Sequence, residues 1–253
     1  AASNLALEIA KGEFIGLMDH DDELTPDALY EVIKAINNEA AEFIYSDEDK
    51  LELDGTHTDP HFKPDYSEAQ LYSQNYLSHF GVIKRSLIDA VGGFTLGLEG
   101  AQDYDLYLKV IEKTDRVHHI PRVLYHWRKI PGSTAAEFDS KSYAQQAGRK
   151  AIENAMERRG IAASIEDGLY PGTYRVSYEL TDQPLVSIII PFKDQPKLLT
   201  MCLDSILNKG SYKNFEIIGV SNNSTEPTTF EIMKEYEAQD RRIRFVEYNV
   251  PFN

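Results

Sequence analysis

Asp19, His20, Asp21 and Asp22 follow directly on the apolar run Phe14, Ile15, Gly16, Leu17 and Met18. A short apolar run bounded by charge predicts a buried strand, so three carboxylates are expected together at its carboxyl end, where open α/β sheets bind ligands. Carboxylates so placed repel one another unless a cation neutralises them. Hard oxygen donors of this kind suit Mg²⁺ or Mn²⁺, usually shared with substrate phosphates. The expected chemistry is metal-assisted handling of a phosphate-bearing substrate. Two other uses of such a cluster fail on its neighbours. An aspartyl-phosphate phosphatase needs a small hydroxyl or apolar residue where Glu23 stands, and an EF-hand loop from Asp19 needs Gly at Leu24 and Glu at Tyr30. The plain alternative is a solvated capping run before Pro26, served by Asp22 or Thr25.

The elements that must position this cluster alternate. A helix is expected over residues 1–11, ended by Gly12, followed by the strand over 14–18 and a helix from Thr25-Pro26 to Asn37. Residues 43–45 predict a short strand that leads to a second acidic group, Asp47, Glu48 and Asp49. A stretch rich in His, Pro and aromatics covers 56–80, where His61, Phe62, Lys63 and Pro64 are expected to shape a pocket and Tyr66, Tyr72 and Tyr76 to stack on a ligand or pack in the core. Further strands are expected at 81–85 and 122–127, with a helix over 103–112 between them. A long helix over 140–159 has a charged face and reads as a surface or connecting element. Residues 170–180 alternate as a strand, and Thr181, Asp182, Gln183, Pro184 read as a linker. Beyond it, strands at 186–190, 215–220 and 243–247 alternate with helices at 196–208 and 228–239, a βαβαβ unit of the nucleotide-binding kind.

Composition bounds the function. Of 253 residues, 26 are basic and 41 acidic, a formal charge of -15. That charge argues against nucleic acid as a partner and against a polybasic membrane anchor. The strongest apolar run, 185–192, is far too short to span a bilayer, so no transmembrane segment is expected. Cys202 is the single cysteine, which excludes internal disulfides and fits a reducing compartment.

Ser187, Ile188, Ile189, Ile190, Pro191, with Val220, Ser221, Asn222, Asn223, Ser224 and Thr225, resembles the opening of family 2 nucleotide-sugar glycosyltransferases of the GT-A fold. Ala2 to Ala6 before Asp19-His20-Asp21-Asp22 resembles that family's mid-domain helix and metal-binding acidic motif. Gln102, Asp103, Tyr104, Asp105, Leu106 is similar to its acceptor-side motif. Val123 to Arg128 with Gly132, Ser133 and Thr134 resembles the late motif of polysaccharide-forming bacterial members.

The resemblance implies an α/β fold with a doubly wound, mostly parallel sheet, and a metal-dependent inverting glycosyltransferase. It would move a sugar from a nucleotide-sugar donor to a glycan or lipid-linked glycan acceptor in cell-surface polysaccharide synthesis. Asp19, Asp21 and Asp22 would hold Mn²⁺ or Mg²⁺, with His126 a further ligand unless it simply packs beside Trp127. Arg128 would reach the diphosphate. Asp103 would take the acceptor proton while Asp105 caps the helix. Pro191, Asp194, Ser221 and Asn222 would contact the nucleoside, although many relatives carry Asp where Ser221 stands. A cytoplasmic location is implied, at the inner face of the membrane through a longer parent protein.

The order of the motifs is inverted relative to the family, since the acidic half leads and the base-binding half trails. The expectation is a piece of a tandem enzyme. Residues 1–139 would be the metal and acceptor part of one catalytic domain, 140–183 a connecting helix and linker strand, and 184–253 the nucleotide-binding part of the next. Such a piece would fold as a circularly permuted domain or swap halves with a second copy as a homodimer. The alternative is a catalytically inert fragment that retains only metal or sugar binding.

Overall fold

The computed structural model describes residues 2–130 and 142–250. Gly132, Ser133 and Thr134 of the late motif lie outside the described residues. The chain forms two compact units, residues 1–179 and 180–253.

The first unit opens with α1 (Ala2–Ile9) and β1 (Phe14–Gly16), then β2 (Glu23–Leu24), α2 (Ala28–Glu39), β3 (Phe43–Leu51) and β4 (His57–His61). It continues through α3 (Glu68–Ser73), β5 (Val82–Lys84), α4 (Arg85–Ala90), α5 (Gln102–Val110) and β6 (Val117–Arg128). It closes with α6 (Ser142–Arg158), β7 (Ala163–Asp167) and β8 (Tyr174–Tyr178). Six strands form one sheet in the order β1-β5-β3-β6-β2, with β4 added to β3, and β7 pairs with β8 as a separate hairpin. β3 and β6 run parallel over most of β3, while the shorter ladders of this sheet are antiparallel.

Alternation along β3 builds the two faces. Phe43 and Tyr45 join Ile83, Tyr104, Tyr107 and the buried side of α6, whereas Ile44 joins Val82, Leu124, Tyr125 and the Ala28, Val32, Ala35 face of α2. A strand covered on both faces is a continuous apolar run at its start, as 43–45 shows. Its second half departs from the three-residue expectation: the strand extends to Leu51 and carries Asp47, Glu48 and Asp49 inside the ladder. The register slips opposite Asp47, between Ile120 and Val123, so the side chains that follow are re-aimed by the extra residues on β6.

Three expectations change here. β1 is a three-residue, half-buried strand at the end of its sheet, pairing only with β5 among the described residues, and is not an interior strand. α6 is no surface connector: Ala147, Ala151, Ile152, Ala155 and Met156 are buried in the core of the first unit. Its small-residue face at helical spacing lets α5 approach closely, a signal masked by the charges on the other face. The expected helix from Thr25-Pro26 starts at Ala28, because the Thr25 hydroxyl donates to Asp27 at 2.8 Å and both residues stay in the preceding turn.

The second unit contains β9 (Val186–Phe192), α7 (Pro196–Lys209), β10 (Phe215–Ser221), α8 (Pro227–Gln239) and β11 (Ile243–Glu247). β9, β10 and β11 form a parallel sheet of their own, with Leu199, Leu203, Phe215, Ile217, Tyr236 and Ile243 as its core. Residues 186–192 pair within the sheet of the second unit and residues 14–16 within the sheet of the first.

Candidate active site

The loop after β1 holds the acidic cluster, and its four residues face different ways. Asp19 is exposed, and among the described residues no donor or cation is set against its carboxylate. Asp21 is half-buried, with His20 Nδ1 3.6 Å from its carboxylate. Asp22 turns inward and is buried. Its Oδ2 accepts from the Tyr125 hydroxyl and its Oδ1 accepts from the Arg128 backbone N–H at 2.8 Å. Burial pushes the Asp22 carboxyl up, against the lowering effect of those two hydrogen bonds. The Tyr125 hydroxyl also accepts the Asp19 N–H at 3.2 Å. Asp22 thus departs from its expected role as a ligand, because both of its oxygens are already engaged in fastening the loop to β6. Asp19 and Asp21 remain open oxygen donors, a set that fits Mg²⁺ or Mn²⁺.

Arg128 belongs to the same fastening. Its Nε donates to the Asp21 carbonyl at 2.7 Å and its guanidinium pairs with Glu23. Expected at the diphosphate, it holds the backbone of the acidic loop in this structure.

A cavity of about 1360 Å³ opens beside the loop. Asp19, His79, Asn75, Asp103 and Trp127 all line it. The structure therefore brings the acidic loop and Asp103 to one cleft from strands and helices far apart in sequence. Asp103 sits in the first turn of α5, where the helix N-terminus favours a carboxylate, and its Oδ2 accepts from Asn75 Nδ2 at 2.9 Å. Asp105 is separated from it by function. It is buried, pairs with Lys109 at 3.0 Å and accepts from the Thr95 hydroxyl at 2.6 Å, so it anchors the loop before the helix.

Under the cavity lies a network whose central role sequence reasoning missed. Glu48 is buried, and its Oε2 accepts from Lys63 Nζ at 3.1 Å and from the His79 backbone N–H at 3.2 Å, with His79 Nδ1 at 3.0 Å. Lys63, whose side chain is fully enclosed, also donates to the Leu77 carbonyl at 3.0 Å. Burial alone would raise the Glu48 carboxyl, yet the Lys63 ammonium and hydrogen bonds from His61 and His79 hold it well below the usual carboxylate range. Burial in turn depresses Lys63. For His79, burial works downward, and the Glu48 hydrogen bond and charge override it and raise the imidazole. His79 stacks on Tyr125 at 4.7 Å and leans on Trp127 at 5.0 Å, so one buried ion pair sets the cavity floor. The available signal was a charged triplet directly after an apolar strand, paired with a lysine between Phe62 and Pro64.

His126 does not join the acidic loop. It alternates with Tyr125 along β6, so its ring leaves the face on which Tyr125 meets Asp22. Its Nδ1 lies 2.5 Å from Asp49 Oδ1 instead.

The four expected nucleoside contacts belong to the second unit, at the carboxyl ends of β9 and β10. Pro191 is exposed and pairs with Val220. Asp194, at φ 49°, accepts the backbone N–H groups of Thr225 and Glu226, each at 2.8 Å, and these bonds hold its carboxyl low. It thereby caps the turn into α8. Ser221 is buried, and Asn222 donates its N–H to the Phe192 carbonyl at 2.8 Å.

An α/β protein with an acidic loop and a facing carboxylate in one cleft is the class this geometry defines. The sequence model described as glycosyl transferase family 2 matches residues 1–99 and 187–249. The chain belongs to that family. It is 46% identical over its whole length to the protein y4gI of Sinorhizobium fredii, of which it covers 28%. It is 38% identical, again over its whole length, to the O-antigen biosynthesis protein RfbC of Myxococcus xanthus, of which it covers 20%. The chain thus spans less than a third of the length of these relatives. Among solved structures, S. aureus TarS 1-349 in complex with UDP-GlcNAc is matched at 20% identity, over 60% of this chain and 45% of that one, with a TM-score of 0.47. No helix among the described residues is long and apolar enough to cross a membrane.

Proposed function

We propose that the cleft of the first unit is the metal and acceptor side of an inverting, GT-A-type glycosyltransferase site that takes a nucleotide-sugar donor. One observation carries the reading: Asp19 of the metal loop and Asp103 of α5 line a single cavity. Asp19 and Asp21 would hold a divalent cation, which would supply positive charge against the departing nucleoside diphosphate. Asp22, Tyr125 and Arg128 keep the loop in place. Asp103, oriented by Asn75, accepts the proton of the attacking acceptor hydroxyl. Trp127, tilted against His79 and lining the cavity, offers an aromatic face for a sugar ring.

The chain is read as a piece of a longer tandem enzyme of surface-polysaccharide synthesis. Two relatives align with all of it, in this order, while extending several times its length. That favours residues 184–253 being the nucleotide-binding start of a following catalytic domain, with the matching half supplied by the parent protein or by a second copy in a swapped dimer.

Calorimetric titration of the chain with UDP-, dTDP- and GDP-sugars, with and without Mn²⁺, tests this reading. Metal-dependent binding that Asp21→Asn abolishes supports it. Binding indifferent to metal, or none, overturns it in favour of the inert fragment.

A further inference from the structure

We propose that Asp49, His57 and His126 form a second divalent-metal site, separate from the acidic loop and suited to a metal that prefers imidazole. The three residues come from three strands, β3, β4 and β6. Their donor atoms lie within 4.8 Å of one another, and they are the one such group of His, Cys, Asp or Glu among the described residues. His126 Nδ1 is 2.5 Å from Asp49 Oδ1, and His57 Nδ1 is 3.0 Å from Asp49 Oδ2. The two rings meet edge to face at 4.3 Å. Both histidines thus aim the same nitrogen at one carboxylate.

Donors around a tetrahedral ion with bonds near 2.0–2.2 Å are separated by about 3.4 Å, a spacing these atoms reach with small side-chain rotations. Glu48 pairs with the Lys63 ammonium and Asp105 with that of Lys109. Asp49 has the two imidazoles instead. Asp49 and His126 are largely enclosed, while the His57 side chain keeps about half of its surface, 51%, in solvent. An ion held there would have three protein ligands and a position open to water.

Two imidazoles and one carboxylate select zinc, iron, nickel or copper over the Mg²⁺ and Mn²⁺ that the acidic loop suits. The role follows from topology. Among the described residues β4 pairs in the ladder with β3, and a bound ion would tie it across β3 to β6.

The test is titration of the metal-stripped full chain with ZnCl₂, followed by Co²⁺ substitution and visible absorption. His57 is chosen for the variant because its half-exposed ring can be removed without opening the core. The expected result is one zinc per chain in the native protein and in Asp21→Asn, with affinity falling by more than about 100-fold in His57→Ala and the Co²⁺ bands lost there. The proposal is overturned if His57→Ala binds zinc like the native chain, if binding follows His61→Ala or Asp21→Asn instead, or if the native chain takes up no zinc. In the last case the three residues form a hydrogen-bonded network only. Because Asp21→Asn removes the acidic-loop site and leaves this one, either proposal can fail without the other.

Discussion

Glu48→Gln removes the carboxylate that pairs with the enclosed Lys63 ammonium at 3.1 Å, while keeping the size of the side chain. Breaking a buried pair in this way costs about 3–5 kcal/mol, because the remaining charge is stranded away from water. Against a total stability of about 5–15 kcal/mol, that is a large fraction. At about 2–4 °C per kcal/mol for a unit of this size, the melting temperature at neutral pH should fall by roughly 6–20 °C. The sign with pH follows from the lowered Glu48 carboxyl. Its contribution is full above the ordinary Glu value of 4.5 and is lost as pH falls through the lower folded value. The gap between native and variant should therefore narrow in acid. Differential scanning calorimetry at pH 7 and below pH 4.5 reads both effects. Adding Lys63→Met should recover part of the loss, since the stranded ammonium is then gone. A Glu48→Gln protein that melts within about 2 °C of the native one at neutral pH would show that the pair does not support the cavity floor.

Three further outcomes are expected. Asp103→Asn should lower sugar transfer by about 10²–10⁴-fold in a radiolabel assay while leaving the donor dissociation constant unchanged; equal losses in both would remove Asp103 from proton transfer. Tyr125→Phe deletes the hydroxyl shared by Asp22 and the Asp19 N–H, and should cost about 1–3 kcal/mol in urea unfolding together with weaker Mn²⁺ binding, whereas unchanged metal affinity would free the loop from its strut. Gly81→Ala would place a Cβ 2.3 Å from the Tyr107 hydroxyl, which donates to the Ser78 carbonyl at 2.8 Å, so urea unfolding should show a loss of about 1–3 kcal/mol.

The second unit was legible almost to the residue because every local signal there agrees. Apolar strands alternate with helices that begin at Pro196 and Pro227, and parallel pairing follows from that alternation. The first unit was harder where charge enters an ordered element. Asp47, Glu48 and Asp49 ended the expected strand, although Lys63 and His119 satisfy Glu48 and Asp47 from outside it. The alanine face of α6 carries too little hydrophobic contrast to announce a core helix. At the site, residue types pointed to Asp19 and Asp21 and the resemblance to Asp103, and these three carboxylates are exposed or half-buried. The inward turn of Asp22, the bonding of Arg128 to the loop and the departure of His126 to Asp49 depend on strand register and the β6 irregularity, which no spacing rule supplies.

Anomalous scattering from a crystal grown with Mn²⁺ and a nucleotide sugar is the most direct test of the metal loop. A manganese peak bridging the Asp19 and Asp21 carboxylates and the donor's diphosphate, above the cavity that holds Asp103, is the predicted result. A donor bound elsewhere, or manganese absent from those two carboxylates in such a crystal, would contradict it.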